Sequence, residues 1–372
     1  MKTKITIIIG AFLPVPAVLG GAVEKLWFQL AKELNSEHIE VTVISKKHQN
    51  FADLEEVDGM LIKRVKGYTS TNFIPLRLCL DFIYSIRAVW SARKSDITIT
   101  NTFWSPVLAK LFTKSKVWVS VHRYPKHQMF LYKYADAIQP VSHSVKQAIL
   151  EQYPALSSKT QVIPNYVKRP KLDIKMNDKK KQMLFVGRLH PEKGVGLLIK
   201  AFVSAELKGW QLVIIGPHEI EAGGGGVEYL LELQRLAGGN SQIRFLGAIY
   251  DEDNLNRYYR ESAVFTYPSL AEKGEAFGLA PLEAMSYGCQ VIVSKLTCFN
   301  DFCTTENSIR VDLGAGYELL GEALSTSAMA YQTDKHLMML NNSIKTAEMY
   351  NLTSIGDQMR NLILRLNETP TK

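Results

Sequence analysis

Two glutamates with seven residues between them, Glu275 and Glu283, bracket a Phe277-Gly278 turn and the start of an apolar helical pattern. Glu275 falls in the loop after the apolar run Ala263–Tyr267, and Glu283 lies about one helical turn into the segment that Gly278 begins, so both carboxylates can face one cleft at a helix N-terminus. Free backbone N–H groups at such an end suit an anionic leaving group such as a diphosphate, and a nearby carboxylate suits sugar or ribose hydroxyls. Taken alone, the pair reads equally well as acidic residues that neutralise the positive end of a helix.

Upstream, Met183-Leu184-Phe185-Val186 is an apolar strand, followed by Gly187-Arg188 and then by Lys193-Gly194 before the helical pattern Val195, Leu197, Leu198, Ala201, Phe202. Arg188 and Lys193 would project from a strand end and the following helix start, where two cations can neutralise charge growing on a departing diphosphate. In many enzymes of other folds that job falls to a metal held by an Asp-x-Asp motif. Asp251-Glu252-Asp253 has that form, but its place before Leu255 and Tyr258 reads as a capped helix start, and no metal is expected. Gly20-Gly21 would let backbone approach a phosphate or sugar at the start of the first helix, or simply make a tight turn. Residues 223–226, four consecutive glycines, invite a phosphate-loop reading. No Lys-Ser or Lys-Thr follows them, and a mobile surface loop is the expectation.

Strand, loop and helix patterns that would position these groups run through the chain twice. Apolar runs predict strands at Ile5–Ile9, Ile39–Ser45, Ile97–Thr100, Val117–Val121 and Ala137–Val141, then at Met183–Val186, Gln211–Ile215, Ile243–Leu246, Val264–Tyr267 and Val291–Ser294. Helical stretches such as Val107–Phe112 and Val145–Gln152 separate them, which implies a mostly parallel sheet in each half. Residues 167–182 carry Pro170 and seven Lys or Arg with little apolar content, the composition of an interdomain linker. Ligands in such sheets bind outside the carboxyl ends of strands, so the motifs above converge on one region.

In their order, Gly187-Arg188, Lys193-Gly194, Ile215-Gly216, Phe245-Leu246-Gly247, Tyr267-Pro268-Ser269 and the paired-glutamate segment resemble the retaining glycosyltransferases of family 4. The resemblance implies the GT-B fold, α/β with two facing Rossmann-like domains and an interdomain cleft. It divides the chain into an acceptor domain, residues 1–166 plus a final helix at about 350–372, and a nucleotide-sugar donor domain, residues 167–349. It implies that Glu275 holds sugar hydroxyls, that Arg188 and Lys193 face the diphosphate, and that His122, after the strand Val117–Val121, approaches the transferred sugar. Phe277, Gly278 and Leu279 would offer backbone N–H groups, Glu283 would accept from the ribose, and backbone around Leu246 and Ile249 would meet the base. Gly20, Gly21 and Gly187 would lie against the donor. Glu272 competes for the role of Glu275, but only Glu275 stands eight positions before Glu283.

On this resemblance the expected reaction is metal-independent transfer of a hexose, by family base rate glucose from UDP-glucose, to a glycan or lipid-linked acceptor in polysaccharide biosynthesis. The nucleotide sugar is a co-substrate, and no cofactor is implied. A nucleotide-sugar epimerase with the same two domains and a non-catalytic sugar-nucleotide-binding module are the alternatives.

A chain of 372 residues, 46% apolar and 22% charged, has ample core for two domains. Cys79, Cys289, Cys298 and Cys303 lack zinc-type spacing and force no disulfide, although Cys298 with Cys303 is open, which favours a reducing, cytoplasmic setting. The apolar run from Ile5 to Leu13 reads as a first strand rather than a secretory signal, and no run is long enough to span a membrane. Residues 1–170 hold 23 Lys and Arg against 12 Asp and Glu, the remainder 21 against 24. The basic excess lies on the acceptor side and implies an anionic acceptor or peripheral contact with the inner face of the plasma membrane. Two stretches could rest against lipid headgroups, Arg123–Tyr134 and Phe73–Lys94, although the second reads more readily as a buried helix. Nucleic acid is not an expected partner, because no recognition module is present.

Overall fold

Strands apolar on both faces must be covered on both faces, and here they pair in parallel to form the centres of two sheets. The computed structural model describes residues 2–168 and 178–368. Contacts divide the chain into two units, residues 1–166 with 352–372 and residues 167–351.

The first unit runs β1 (Thr3–Ile8), α1 (Ala22–Leu34), β2 (Ile39–Lys46), β3 (Leu54–Val57), β4 (Met60–Val65), α2 (Ile74–Ala92), β5 (Ile97–Thr100), α3 (Ser105–Phe112), β6 (Lys116–Val121), β7 (Ala137–Pro140) and α4 (His143–Gln152). Its sheet has the order β3-β4-β2-β1-β5-β6-β7, parallel except for the β3–β4 pair. Every residue of β6 is buried, which explains the apolar run Val117–Val119 at its centre. The order turns back between β1 and β5, and the loop after β1 carries Gly20 and Gly21.

The second unit runs β8 (Lys180–Val186), α5 (Val195–Ser204), β9 (Gln211–Ile215), α6 (Gly226–Ala237), β10 (Ile243–Phe245), α7 (Glu252–Glu261), β11 (Ser262–Tyr267), α8 (Leu279–Ser286), β12 (Gln290–Ser294), β13 (Ser308–Val311), α9 (Glu318–Met329) and α10 (Asp334–Glu348). Its order, β10-β9-β8-β11-β12-β13, is parallel throughout and turns back between β8 and β11. A crevice opens at the carboxyl ends of strands where the winding direction reverses, so the loops after β8 and β11 are placed to form a site. The last helix, α11 (Leu352–Glu368), belongs to the first unit. It buries Ile355, Met359, Leu362, Ile363 and Leu366, Arg360 donates to Glu33 Oε1 at 2.8 Å, and Asn367 donates to Thr3 Oγ1 at 2.9 Å.

Several sequence expectations need correction. β3 and β4 form a hairpin through Asp58 (φ 50°) and Gly59 (φ 74°), a turn whose two central residues both take positive φ to match the twist of the flanking strands. β13 is a short edge strand with two half-buried positions, too weak a pattern to read. Of the expected linker, residues 169–177 lie outside the described residues, and Lys180 to Gln182 already belong to β8. Cys298 and Cys303 are both free thiols, buried rather than bridged.

Lys179, counted with the solvated linker charges, is buried. Its Nζ donates to the carbonyls of Ser262 at 2.9 Å, Tyr287 at 2.8 Å and Tyr259 at 3.2 Å. One ammonium thereby ties the end of α7, the start of β11 and the end of α8, and burial holds its pKa below the usual lysine range. Lys179→Met keeps the apolar stem but removes these bonds. Urea unfolding should report a loss of about 2–4 kcal/mol from this unit, and an unchanged midpoint would show that the staple contributes nothing.

Candidate active site

The β8–α5 loop begins at Gly187 and makes a short turn at Pro191–Lys193 before α5. The β11–α8 loop runs from Pro268 to Gly278. Leu270 N–H donates to the Glu192 carbonyl at 2.7 Å, joining the two loops. Gly194 takes φ 68° where a side chain would overlap the carbonyl oxygen of Pro268, so glycine is required for the loops to touch. Gly278, φ 89°, caps α8 where a side chain would strike the ring of Phe299.

That contact brings Lys193 to Glu275 across 82 residues of sequence. Lys193 Nζ donates to Glu275 Oε2 at 2.7 Å, with side chains only 7% and 12% exposed. Tyr267 donates to the same oxygen at 3.1 Å, and its ring lies 5.6 Å from the ammonium. The Tyr267 ring stacks on Phe185 at 5.7 Å, and burial together with the Glu275 charge pushes its hydroxyl well above the usual range, keeping it a neutral donor. Both contacts fall on Oε2, and Glu275 Oε1, which accepts nothing among the described residues, can accept a hydrogen bond from a ligand hydroxyl. Glu272 is exposed and makes no such contact.

Arg188 is half-exposed, and its guanidinium donates to Glu192 Oε1 at 2.9 Å and to the Gly223 carbonyl at 2.6 Å. Here the glycine run departs from the expected mobile loop. Gly224, Gly225 and Gly226 donate to the carbonyls of Glu219, Leu189 and His218 at 2.7–2.8 Å, so the segment is a hydrogen-bonded turn leading into α6 and buttressing Arg188. His190 Nδ1 accepts from Glu192 N–H and only shapes the turn.

Glu283 sits in the second turn of α8, where Tyr259 donates to its Oε2 at 3.2 Å. Phe277 is buried against Phe302 at 5.5 Å, leaving its backbone and that of Leu279 at the helix start. Gly216 N–H donates to the Gly247 carbonyl at 2.8 Å, and Gly187 N–H to Ile215 at 3.0 Å, which aligns the strand ends near half-buried Leu246 and Ile249. Asp251 accepts from Asn254 N–H at 2.8 Å as the cap of α7, the role its position predicts.

In the first unit, Gly21 caps α1, and Trp27 of that helix reaches the end of β6, where its Nε1–H donates to His122 Nε2 at 3.0 Å. An indole nitrogen can only donate, so the His122 proton must sit on Nδ1. Ser120 stands 3.0 Å from the same Nε2 and hydrogen-bonds Gln139 Oε1 at 2.6 Å. Nδ1 is buried with no partner at bonding distance among the described residues. Burial pushes the His122 pKa down to about 4, with the Asn165 side chain pulling the other way.

The unpredicted participants are Tyr267, Tyr259, Glu192 and Trp27. Tyr267 stood inside a motif already singled out and Glu192 between two of them, but only the fold shows which atoms they touch.

The family model for Glycosyl transferases group 1 matches residues 169–307, and that for Glycosyltransferase Family 4 matches residues 20–169. The chain is similar to an uncharacterised glycosyltransferase of Methanocaldococcus jannaschii, 30% identical over 42% of this chain and 41% of that protein. It is 27% identical to spore coat protein SA of Bacillus subtilis over 78% of this chain and 80% of that protein. It is 29% identical to an O-antigen chain mannosyltransferase of Salmonella typhimurium over 44% and 43%. The matches thus span under half the length of the archaeal and Salmonella relatives. Among solved structures, sucrose-phosphate synthase from Thermosynechococcus elongatus superposes with TM-score 0.79 at 20% identity over 98% of this chain and 99% of that one. Anabaena HepE in complex with UDP and glucose gives 0.72 at 15% over 97% and 99%. The two halves of the chain thus match two glycosyltransferase family models, and its fold is the GT-B fold of these structures.

His122 and Asp81 give the first unit opposing responses to acid. A buried imidazole whose pKa falls from 6.5 to about 4 contributes its full share above pH 6.5, and loses it as pH drops toward 4, about 3 kcal/mol in all. Burial pushes Asp81 the other way, from 3.8 to about 6, so its ionisation costs stability as pH rises through that window. Asp81→Asn should therefore lose more melting temperature than the parent between pH 6.5 and 4, and His122→Gln should lose less. Parallel melting curves for all three proteins would refute both assignments.

Proposed function

We propose that this chain is a retaining, metal-independent hexosyltransferase that moves glucose from UDP-glucose to a glycan or lipid-linked acceptor in polysaccharide biosynthesis. The observation that carries the reading is the convergence of Lys193 and Tyr267 on one oxygen of Glu275, where the strand order of the second unit reverses. A carboxylate held this way can grip sugar hydroxyls, and an adjacent ammonium can share its charge with an arriving diphosphate.

In this reading residues 167–349 bind the donor, and residues 1–166 with about 350–372 bind the acceptor. The acceptor oxygen attacks the anomeric carbon from the face the diphosphate leaves. The bond from that carbon to the diphosphate oxygen breaks, and the departing oxygen takes the acceptor proton. Lys193 and Arg188 stabilise the negative charge that develops, which replaces a metal electrostatically. Phe277, Gly278 and Leu279 supply backbone N–H groups at the start of α8, Glu283 accepts from the ribose, and backbone at Leu246 and Ile249 meets the base. From the first unit, Gly20 and Gly21 allow close approach to phosphate, and His122 offers its Nδ1–H to the transferred sugar. A mannose donor is the second reading, supported by the mannosyltransferase name of the Salmonella relative.

Melting the chain with UDP, GDP, ADP and their hexose conjugates, chelator present, separates these readings. UDP and UDP-glucose should raise the melting temperature, by an amount that grows with ligand excess over Kd. A response confined to GDP compounds would replace the donor, and dependence on added divalent metal would remove metal independence. With the donor fixed, Glu275→Gln should lower kcat about 10²–10³-fold, and Tyr267→Phe about tenfold. A Glu275→Gln enzyme with parental kcat would sink the site assignment.

A further inference from the structure

The run of four glycines at residues 223–226 has no part in the transfer reading, yet it lies against one of the cations that reading uses. Its own N–H groups are committed. Gly223 donates to the Ile220 carbonyl at 2.9 Å, and the next three glycines donate to Glu219, Leu189 and His218. A phosphate loop needs such groups free, so the run is not a second anion site. What it offers instead is an acceptor, the Gly223 carbonyl. Arg188 donates through one terminal nitrogen to that oxygen at 2.6 Å and through the other to Glu192 Oε1 at 2.9 Å. The remaining N–H groups of the guanidinium have no partner among the described residues and can take phosphate oxygens.

The Arg188 side chain is 43% exposed, and a long side chain so open to water samples many rotamers unless something holds it. The turn that holds it is itself fixed to the backbone beside Arg188. Leu189, next in the chain, bonds to the β9–α6 loop twice, donating to the Pro217 carbonyl at 2.8 Å and accepting from Gly225 N–H at 2.7 Å. The root of Arg188 and the acceptor at its tip thus belong to one hydrogen-bonded frame. Side chains do not fit in that frame. A Cβ at Gly223, φ 80°, would lie 2.6 Å from an Arg188 terminal nitrogen, one at Gly224 would overlap the His218 carbonyl, and one at Gly225 would lie 2.9 Å from the Tyr229 side chain.

We propose that the glycine turn is a positioning element of the donor site: the Gly223 carbonyl, with Glu192, fixes the Arg188 guanidinium so that its free N–H groups meet the terminal phosphate of a nucleoside diphosphate. The inference rests on the donor-site reading of the second unit, and adds to it the loop that sets discrimination of diphosphate from monophosphate. Gly223 acts only through Arg188 and touches no reacting atom.

The test is calorimetric titration of the full chain with UDP and UMP, repeated with GDP and GMP, so that the terminal phosphate is read as a ratio of affinities whichever base is preferred. Arg188→Met should lower diphosphate affinity at least ~10-fold with little change for the monophosphate. Gly223→Ala should lower diphosphate affinity roughly fivefold and leave the monophosphate unchanged. Made on top of Arg188→Met, the same change should have no further effect, because its action runs through the guanidinium. Gly239→Ala carries similar backbone strain at φ 71° with open space around the new Cβ, and should bind as the parent does. If Gly223→Ala does not fold, Gly225→Ala serves, since φ −87° suits any residue there and its Cβ would displace the turn by pressing on Tyr229. The proposal is overturned if the Gly223 and Gly225 variants keep the parental ratio, or if they lower it equally with and without Arg188. A parent that binds neither diphosphate better than its monophosphate, or an Arg188→Met variant that binds as the parent does, removes the donor-site reading and the proposal with it.

Discussion

The contact between Lys193 and Glu275 is the constraint around which the second unit is arranged. Bringing an ammonium and a carboxylate out of water costs several kcal/mol per ion, repaid only when geometry is good and further hydrogen bonds support the pair. The repayment comes from two loops that the sheet order places side by side, β8 next to β11. Leu270 N–H on the Glu192 carbonyl and glycine at position 194 against Pro268 hold those loops in contact. Ser294 anchors the second loop from β12 through the Ser269 carbonyl at 2.6 Å. A buried ion pair is weak evidence of stability on its own terms. Its position where strand winding reverses gives it a use, because a charged ligand can take over part of what each partner now does for the other.

Much of this was legible in the residues and some was not. The parallel strands announced themselves because burial on both faces leaves apolar runs, as at Val117–Val119 in β6 and Val291–Val293 in β12. The β3–β4 hairpin went unread even though Asp58-Gly59 is a strong turn signal, since Leu54–Val57 has two adjacent glutamates at its centre and no apolar alternation. Glu275 and Lys193 could each be picked out by type and local spacing. That they share an oxygen could not, because the contact spans 82 residues and depends on a backbone approach only the fold supplies. Tyr267 was visible as part of a strand-end motif, yet a tyrosine in an apolar strand reads as core until its hydroxyl is located. Lys179 misled for the opposite reason. Composition counts a lysine among lysines as solvated, and only three converging carbonyls reveal a staple.

The two units use buried polar groups differently. In the second, the buried Lys193 is paired with Glu275, and the buried Lys179 is held by three backbone carbonyls. In the first, His122 is kept neutral by desolvation, and its tautomer is set by an indole that can only donate. A neutral imidazole with its proton fixed on Nδ1 offers a directional donor without adding charge, which suits an uncharged hydroxyl better than a phosphate. The chemistry of the two regions is thus complementary in kind, whatever ligand each receives.

Helix α2 shows how one structural demand forces another. The start of α3 lacks a capping side chain of its own, and Asp81 supplies an acceptor from the neighbouring helix. Tyr84, Ala88, Val89 and Ala92 are buried on the same face as that carboxylate, and together they set the rotation of α2 and so which residues face outward. Polar residues on the outer face would have satisfied solubility at no cost to this arrangement, yet the outer positions are leucine, phenylalanine, isoleucine and tryptophan. A carboxyl pushed up to about 6 by burial is an expensive cap, and an exposed apolar stripe carries its own penalty in water. Both costs fall on the same helix.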